Sequence, residues 1–477
     1  MIELILIFPI VACIILFFNK SVKLNNFAVL SYSGLHLIAS LFFYFKGKDI
    51  SLFPNIFDIY FKLDGLNTLF LLILSVIFLA VAIYNSEFIR TREMQRNDLK
   101  YYSMAVLIFI FSMTGAILST NLGLSWVFIE ATTLASAYLI YFNKTKHSIE
   151  AAWKYVFICS IGIALAFVGI ILLTIATGKF DSLFFSDLYS NASLFNPFWL
   201  KASFVFILIG IGTKVGLAPV HFWLPDAHSE APSPISALLS ATLLNSAFLI
   251  ILKVLKILEL AHVDHYGRVL LFIMGLLSLF VAAVFIYNIN NYKRMLAYSS
   301  IENMGIIAIG TAVGGLGLYA ALLHMIGHSL IKSAFFLTSG NILKIFKTKK
   351  INEVSGILKV DKITGWLWIL CFTGIVGLPP SPLFISEFLL LKELIKQNHF
   401  LIVGIILILL TIIIYGIGKV VINMSFGNVI KIEGTQEERL KLSLYLPQII
   451  IITVSLIIGV YIPPFLNTLI QNAMVGL

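Results

Sequence analysis

Sixty per cent of the 477 residues are hydrophobic and only 12% are charged, with a mean hydropathy of +1.00. A water-soluble chain of this length needs roughly twice that charged fraction to cover its surface, so a soluble enzyme or binding module is excluded. The formal net charge of +10 raises nucleic acid as a partner, but in a chain built of apolar runs an excess of Lys and Arg reports orientation in a membrane.

Taken in chain order, apolar runs long enough to cross a hydrocarbon core of ~30 Å recur from end to end. They predict fourteen spans, near 2–18, 27–45, 65–84, 102–118, 121–141, 153–174, 200–218, 234–258, 268–288, 296–314, 316–342, 363–397, 400–424 and 443–465. The first lacks a basic flank before it and a small-residue cleavage site after it, so it reads as a retained span and not a signal peptide. With residues near span ends assigned to the adjoining loop, the loops after odd-numbered spans hold twenty Lys and Arg residues and those after even-numbered spans ten, and Lys214, Lys332 and Lys419 fall within spans. The positive-inside rule then puts the odd loops in the cytoplasm and both termini outside, and the basic charge needs no nucleic acid. No long linker divides the chain. The largest pieces outside spans are Ser182–Pro197 and Lys431–Lys441, and a single membrane domain over 1–477 is expected.

Two spans are interrupted by matching sequences, "VGLAP" at Val215–Pro219 and "VGLPP" at Val376–Pro380. Each half also carries a Glu after Ile, in "FIEATTL" (Glu130) and in "SIENMGI" (Glu302). Paired Gly/Pro interruptions in the two halves of a membrane protein point to internal repeats, here about 102–258 and 268–424. Proline removes a backbone donor and frees carbonyls. At membrane depth such backbone survives only inside protein or along a wet cavity.

Ionisable residues gather around these breaks. Lys214 precedes the first and Glu387 follows the second, while Glu130 lies inside the fifth span. His324, His328 and Lys332 fall at i, i+4 and i+8 of the eleventh, on one helix face and about 6 Å apart along the axis. A lone charge in lipid costs several kcal/mol, so such groups pair or line an aqueous path. Six of them in series meet the physical requirement for a proton relay; the plainer reading of any single one is a static ion pair that fixes helix register. His221, Asp226 and His228 in "HFWLPDAH" lack zinc-site spacing and read as a structural turn at the cytoplasmic surface. Cys13, Cys159 and Cys371 are far apart within apolar runs and offer no disulfide or cluster pattern. No phosphate loop or hydrolase nucleophile motif is visible.

The stretches "GTKVGLAPVHFWLPDAHSEAPSPISALLSATLLN", "YKRMLAYSSIENMG", "LLHMIGHSLIKSAFFLTSGNI" and "GLPPSPLFISEFLLLK" resemble the antiporter-like subunits of respiratory complex I. These share ancestry with Mrp sodium/proton antiporters and energy-converting hydrogenases. "WVFIEATTLASAYLI" and "SSIENMG" look most like the hydrogenase-four and formate-hydrogenlyase branch. The resemblance implies an all-α polytopic fold of two inverted five-helix repeats, with helices 7 and 12 broken. It implies that Glu130 and Lys214 are the pair whose opening and closing drives proton movement, and that His324, His328 and Lys332 are the central polar axis. Glu387 matches the twelfth-span exit group, and Lys154 a basic residue near the sixth span that influences a neighbouring subunit's pair. Asn245, in "TLLNSAF", stands where many relatives have lysine; an amide carries no proton, so a water must bridge there or the relay is shorter.

The chain is therefore expected to translocate protons, or sodium, as one membrane subunit of a hydrogenase- or dehydrogenase-like assembly in the cell membrane. No cofactor or metal is expected in this chain; its redox partners would be peripheral subunits carrying iron–sulfur clusters. The alternatives are an Mrp-type antiporter subunit and a structural membrane anchor with an inactive relay.

Overall fold

The computed structural model describes residues 2–19, 21–46, 57–90, 96–178, 182–429 and 440–477. Lys20, Arg92, Lys431 and Arg439, which contribute to the orientation tally, lie outside the described residues. The N-terminal part comprises α1 (Ile2–Phe18), α2 (Val22–Lys46), the single turn α3 (Phe57–Tyr60), α4 (Gly65–Arg90) and α5 (Arg96–Leu118). There follow α6 (Leu122–Tyr141), α7 (Lys146–Thr177), α8 (Phe185–Asn191), α9 (Pro197–Val215), α10 (Trp223–Glu230), α11 (Ser233–Leu238) and α12 (Leu244–Leu260). Next come α13 (Asp264–Ile286), α14 (Tyr292–Val313), α15 (Leu316–Phe346), α16 (Ile357–Val360), α17 (Lys362–Ile375) and α18 (Pro382–Lys396). The last are α19 (Phe400–Phe426), α20 (Leu446–Val460) and α21 (Pro464–Val475).

Among the described residues there is no β-strand, as lipid demands: a helix pairs its backbone groups within the segment, whereas a sheet edge cannot. The helix starts are written locally. Asn121, Asn196, Asn291, Asp361 and Ser381 accept N–H bonds from the first turn, and Thr145 with Ser148 closes a reciprocal capping box. Pro197 and Pro382 take first-turn positions where no donor is missed.

Among the described residues eleven helices are long and apolar enough to span, or twelve if α20 and α21, bent by 81°, count as one. The expected fourteen is not reached by that measure. α1 is only 17 residues long, and the predicted span 363–397 is not one helix: it is divided into α17 of 14 residues and α18 of 15 by the VGLPP break. The orientation tally also changes in one place, because Lys253 is buried inside α12 and donates to the Ser119 carbonyl at 3.2 Å.

The two breaks share their local geometry. Gly216 (φ 79°) and Gly377 (φ 65°) are both left-handed, and the Ala218–Pro219 and Pro379–Pro380 bonds are both cis. After each glycine a leucine N–H reaches back five residues, Leu217 to Gly212 O at 3.0 Å and Leu378 to Thr373 O at 3.1 Å. Carbonyls freed by the break find side-chain donors: Trp223 Nε1 binds Thr213 O at 2.7 Å, and Ser381 Oγ binds Gly374 O at 2.8 Å. The Ala218 N–H is met by Ser278 Oγ at 2.8 Å. A break at membrane depth thus costs little, because tertiary neighbours replace the missing helix bonds.

The run from Ser233 to Leu260 and the helix α15 are buried along their whole membrane stretch, and α14 nearly so, whereas α19 presents most of its surface outward. α7 and α9 approach so closely that a Cβ on Gly210 would overlap the Gly162 carbonyl and the Ala166 amide. That contact brings the residues just before the first break against α7. A π-helical turn, Leu239–Leu243, joins α11 to α12 one turn before Asn245; single π turns inside helices recur at functional sites.

The left-handed backbone at Gly216 generates a prediction. A Cβ there would also meet Leu224, so Gly216→Ala should cost about 1–3 kcal/mol. Gly34 has nothing within 4 Å of a built Cβ, and Gly34→Ala in α2 should leave stability unchanged or raised. Thermal unfolding of the detergent-solubilised chain checks this: equal midpoints for the two variants would contradict the described break.

Candidate functional site

α6 sets Glu130 and Thr133 one turn apart, and α9 ends with Lys214 in its last turn, two residues before the left-handed Gly216. Lys214 is 1% exposed and, among the described residues, forms no ion pair within 4.0 Å. Its Nζ donates instead to Thr133 Oγ1 at 2.8 Å and to the Tyr155 hydroxyl at 2.6 Å. Thr133 in turn donates to Glu130 Oε2 at 3.2 Å, and Ser160 Oγ binds the other carboxylate oxygen at 3.2 Å. The Tyr155 hydroxyl also lies 2.6 Å from Ser136 Oγ. Lys214 and Glu130 therefore meet only indirectly, with the threonine hydroxyl standing between ammonium and carboxylate. Neither Thr133 nor Tyr155 was singled out from the sequence. Thr133 carried a signal all the same, lying at i+3 from Glu130 on the same helix face.

The second group centres on α15. His324 Nδ1 lies 2.8 Å from Ser386 Oγ and its Nε2 3.0 Å from Asn303 Oδ1. Because Ser386 Oγ also reaches Leu383 O at 2.8 Å, protonated His324 satisfies all three bonds, whereas neutral His324 must accept the serine proton. The network accommodates both charge states by turning one hydroxyl. Asn303 Nδ2 binds Ser299 O at 2.6 Å and Glu302 Oε2 at 3.3 Å, and Ser299 Oγ donates to the same carboxylate oxygen at 3.3 Å. Lys332 Nζ donates to Leu296 O at 2.6 Å, and Glu302, 2% exposed, lies within electrostatic reach of Lys332 and of Glu387. Glu302 is the carboxylate the sequence reading missed as a site residue. Its signal was already visible in the echo between "FIEATTL" and "SIENMGI".

Beside the two groups lie polar atoms with no hydrogen-bond partner among the described residues. Asn245 Nδ2 donates to Ala241 O at 2.9 Å and Ser329 Oγ at 2.7 Å, which turns Asn245 toward α15, but its Oδ1 is unpaired. Both ring nitrogens of His328 are buried and unpaired, and so are both of His228, whose ring stacks on Phe336 at 4.9 Å. The surface-turn reading of His228 is corrected here. It is fully buried because α10 folds back into the bundle after the break, and it lies within electrostatic reach of His328, Lys332 and Lys293.

Glu387 is half-buried on α18, its carboxylate folded against the second break: a Cβ on Gly377 would stand 2.5 Å from Oε2. Glycine there serves close approach as well as its positive φ. Lys154 is not brought into this row. It is half-exposed near the start of α7, paired with Glu150 at 2.6 Å and with Asp226 at 3.3 Å, and Asp226 also holds Arg294 at 3.0 Å. Among the described residues no three His, Cys, Asp or Glu side chains gather as a metal site would require.

The geometry is that of a series of titratable groups enclosed in helices. The sequence profile described as NADH:quinone oxidoreductase/Mrp antiporter, TM matches residues 119–414, which include both breaks and every residue of the row. The chain belongs to this family. The hydrogenase-4 component F homolog of Methylacidiphilum infernorum is 37% identical over 473 residues, covering 96% of each chain. The Na(+)/H(+) antiporter subunit A1 of Staphylococcus haemolyticus is 29% identical over 427 residues; this chain spans about half of that relative's length, 51%. In fold, the chain is similar to one in the membrane-bound sulfane sulfur reductase, an archaeal respiratory membrane complex. There the TM-score is 0.88 at 23% identity, covering 99% and 97% of the two chains. It is a multi-pass antiporter-like membrane subunit.

The threonine bridge can be tested by an isosteric change. Thr133→Val removes the hydroxyl that links Lys214 to Glu130, and should lower ion transport by the assembled complex about tenfold or more, the loss of one buried, charge-assisted bond. Thr133→Ser should restore most of it. Near-normal transport by the valine variant in reconstituted vesicles would show that the pair communicates by another route.

Proposed function

We propose that this chain carries protons across the cell membrane as one subunit of a redox-driven assembly. The supporting observation is the Glu130–Thr133–Lys214–Tyr155 cluster at a helix break: a buried ammonium held by neutral hydroxyls, with its carboxylate one hydroxyl away. Such a lysine passes its proton on when a neighbour moves, because no ion pair locks it in the charged form. From there the route runs past Asn245 and Ser329 to His328, then to Lys332 with Glu302, to His324, and to Glu387 beside the second break. The unpaired atoms of Asn245 and His328 support a water-bridged step at that point, since a buried orphan polar group costs about 1–3 kcal/mol and water relieves it. Asparagine there donates and accepts without holding charge. Lys154, outside the row, faces the cytoplasmic loops and the neighbouring subunit.

The assembly is hydrogenase-like, as the 37% identical relative suggests, and its electron chemistry belongs to peripheral subunits carrying iron–sulfur clusters; this chain needs no cofactor of its own. The halves 102–258 and 268–424 form inverted repeats, a reading supported by the matched geometry of the two breaks. Both termini face outward. The second reading, sodium exchange, draws on the antiporter subunit A1 relative. The row itself favours protons: lysine and imidazole carry protons, whereas a hard cation needs six or so oxygen ligands.

Four variants, three of them disabling, decide between transport readings and a passive anchor. Glu130→Gln and Glu302→Gln keep shape and remove charge, and each should leave assembly intact while strongly reducing proton uptake into vesicles. Asn245→Leu should dry the middle of the row and impair uptake, whereas Asn245→Lys should be tolerated. Pumping at wild-type rates by all three disabling variants would make the chain an anchor, and sodium-dependent uptake lost in the same variants would make it an antiporter subunit.

A further inference from the structure

One stripe of α18 leads away from the row. Ser386, Leu390, Glu393 and Gln397 fall at i, i+4, i+7 and i+11, which places them on a single helix face. That face lies against α15, which runs antiparallel to it. Gly327 packs on Pro382 and Leu383, His324 bonds Ser386, and Gly315, just before α15, stands beside Glu393. The stripe therefore starts at a histidine of the row and ends at the face of the bundle where α21 lies, tied to α15 by the Tyr319–Asn467 bond at 2.9 Å. Glu387 does not share the stripe; it turns to Gly377 at the second break.

Glu393 is the group on this stripe that local rules do not explain. It occupies the last turn of α18, where the helix macrodipole opposes a carboxylate and favours a cation such as Lys396. Its side chain is nonetheless only 9% exposed. Among the described residues the one cation within 4.0 Å is Lys396, at 3.8 Å from Oε2 and itself 76% exposed, a geometry that contributes little. Gln397 Nε2 donates to Oε1 at 3.1 Å and also reaches Val313 O at 3.4 Å. Gly315 lines a cavity of about 160 Å³ whose wall carries Lys256, Glu259 and Arg268. A Cβ built on Gly315 would lie 3.6 Å from Glu393 Oε1, so a single glycine separates the carboxylate from that space. A polar cavity of this size holds several waters.

We propose that Glu393 releases protons from the row on the side of the membrane where α21 lies, receiving them from His324 through Ser386. This rests on the proton-carrying reading above. Protonated His324 gives its Nδ1 proton to Ser386 Oγ, whose own hydrogen leaves Leu383 O for a water between α15 and α18. The water passes a proton to the Glu393 carboxylate, and the neutral acid loses it to solvent beside Gln397. His324 returns to its neutral form and Glu393 to its anion. Ser386 and Glu393 stand about 10 Å apart along the helix axis, a gap of about three waters. Leu390, 2% exposed, fills that gap, so its rotamer opens and closes the passage.

The assembled complex in reconstituted vesicles tests this, with transport read as membrane potential so that a neutral acid crossing the lipid does not contribute. Glu393→Gln keeps the shape of the side chain and should lower transport about tenfold or more, whereas Glu393→Asp should retain most of it. Acetate added on the α21 side, a small weak acid able to take the place of the missing carboxylate, should restore the Gln variant. Acetate should do nothing for Glu130→Gln, whose lost group lies far back in the row. Wild-type rates in both Gln variants would overturn the proton-carrying reading itself. Loss in Glu130→Gln with a wild-type rate in Glu393→Gln would overturn the release assignment alone. A loss in Glu393→Gln that acetate leaves unrestored marks a packing defect and overturns it too.

Discussion

A peptide group in hydrocarbon has no water to turn to, and everything else in this structure follows from how two helices are broken without leaving such groups unpaired. Trp223, Ser278 and Ser381 supply the donors and acceptors that the helix withdraws at the two breaks. Ser278 comes from α13, whereas Trp223 and Ser381 come from the segments that follow the breaks, and Pro219, Leu378, Pro379 and Pro380 stay exposed on the surface of the chain. Each break creates a place where a chargeable side chain can end among polar groups: Lys214 before the first, Glu387 folded onto Gly377 at the second.

The same economy governs the charges. A buried direct ion pair would hold Lys214 and Glu130 in their charged forms and give each little reason to exchange a proton. Here a threonine hydroxyl separates them, a tyrosine hydroxyl holds the ammonium from the other side, and a second carboxylate, Glu302, is shared by position between Lys332 and Glu387. Hydroxyls reorient without moving the backbone. An array of this kind changes its pattern of bonds at small cost while the helices carrying it stay packed.

Much of this was legible in advance because lipid imposes severe rules on composition. The apolar runs located the helices, and charged residues inside them were too costly to be incidental, so Glu130, Lys214, His324, His328, Lys332 and Glu387 stood out. What failed to stand out were neutral or ambiguous partners. Thr133 and Tyr155 are unremarkable in a membrane helix until a lysine from another helix reaches them. His228 sits in a Pro-rich stretch that resembles a surface turn, and only the backward fold of α10 buries it. The 363–397 run passed as one span because hydropathy averages over the interruption that the backbone cannot ignore.

The sequence by itself determined that the chain crosses a membrane many times, that two of its helices break at VGLAP and VGLPP, and that Glu130, Lys214, His324, His328, Lys332 and Glu387 fall within or beside apolar runs; it did not mark Lys253 as buried. These follow from local rules, since hydropathy, proline and glycine act on a residue and its immediate neighbours. Tertiary structure decided who meets whom. Lys214 reaches Glu130 through a hydroxyl, Asn245 turns to Ser329, and Lys154 leaves the row for Asp226. Those outcomes depend on the rotation and close approach of helices far apart in sequence, set by contacts such as Gly162 against Gly210, and no periodicity along a single helix encodes them.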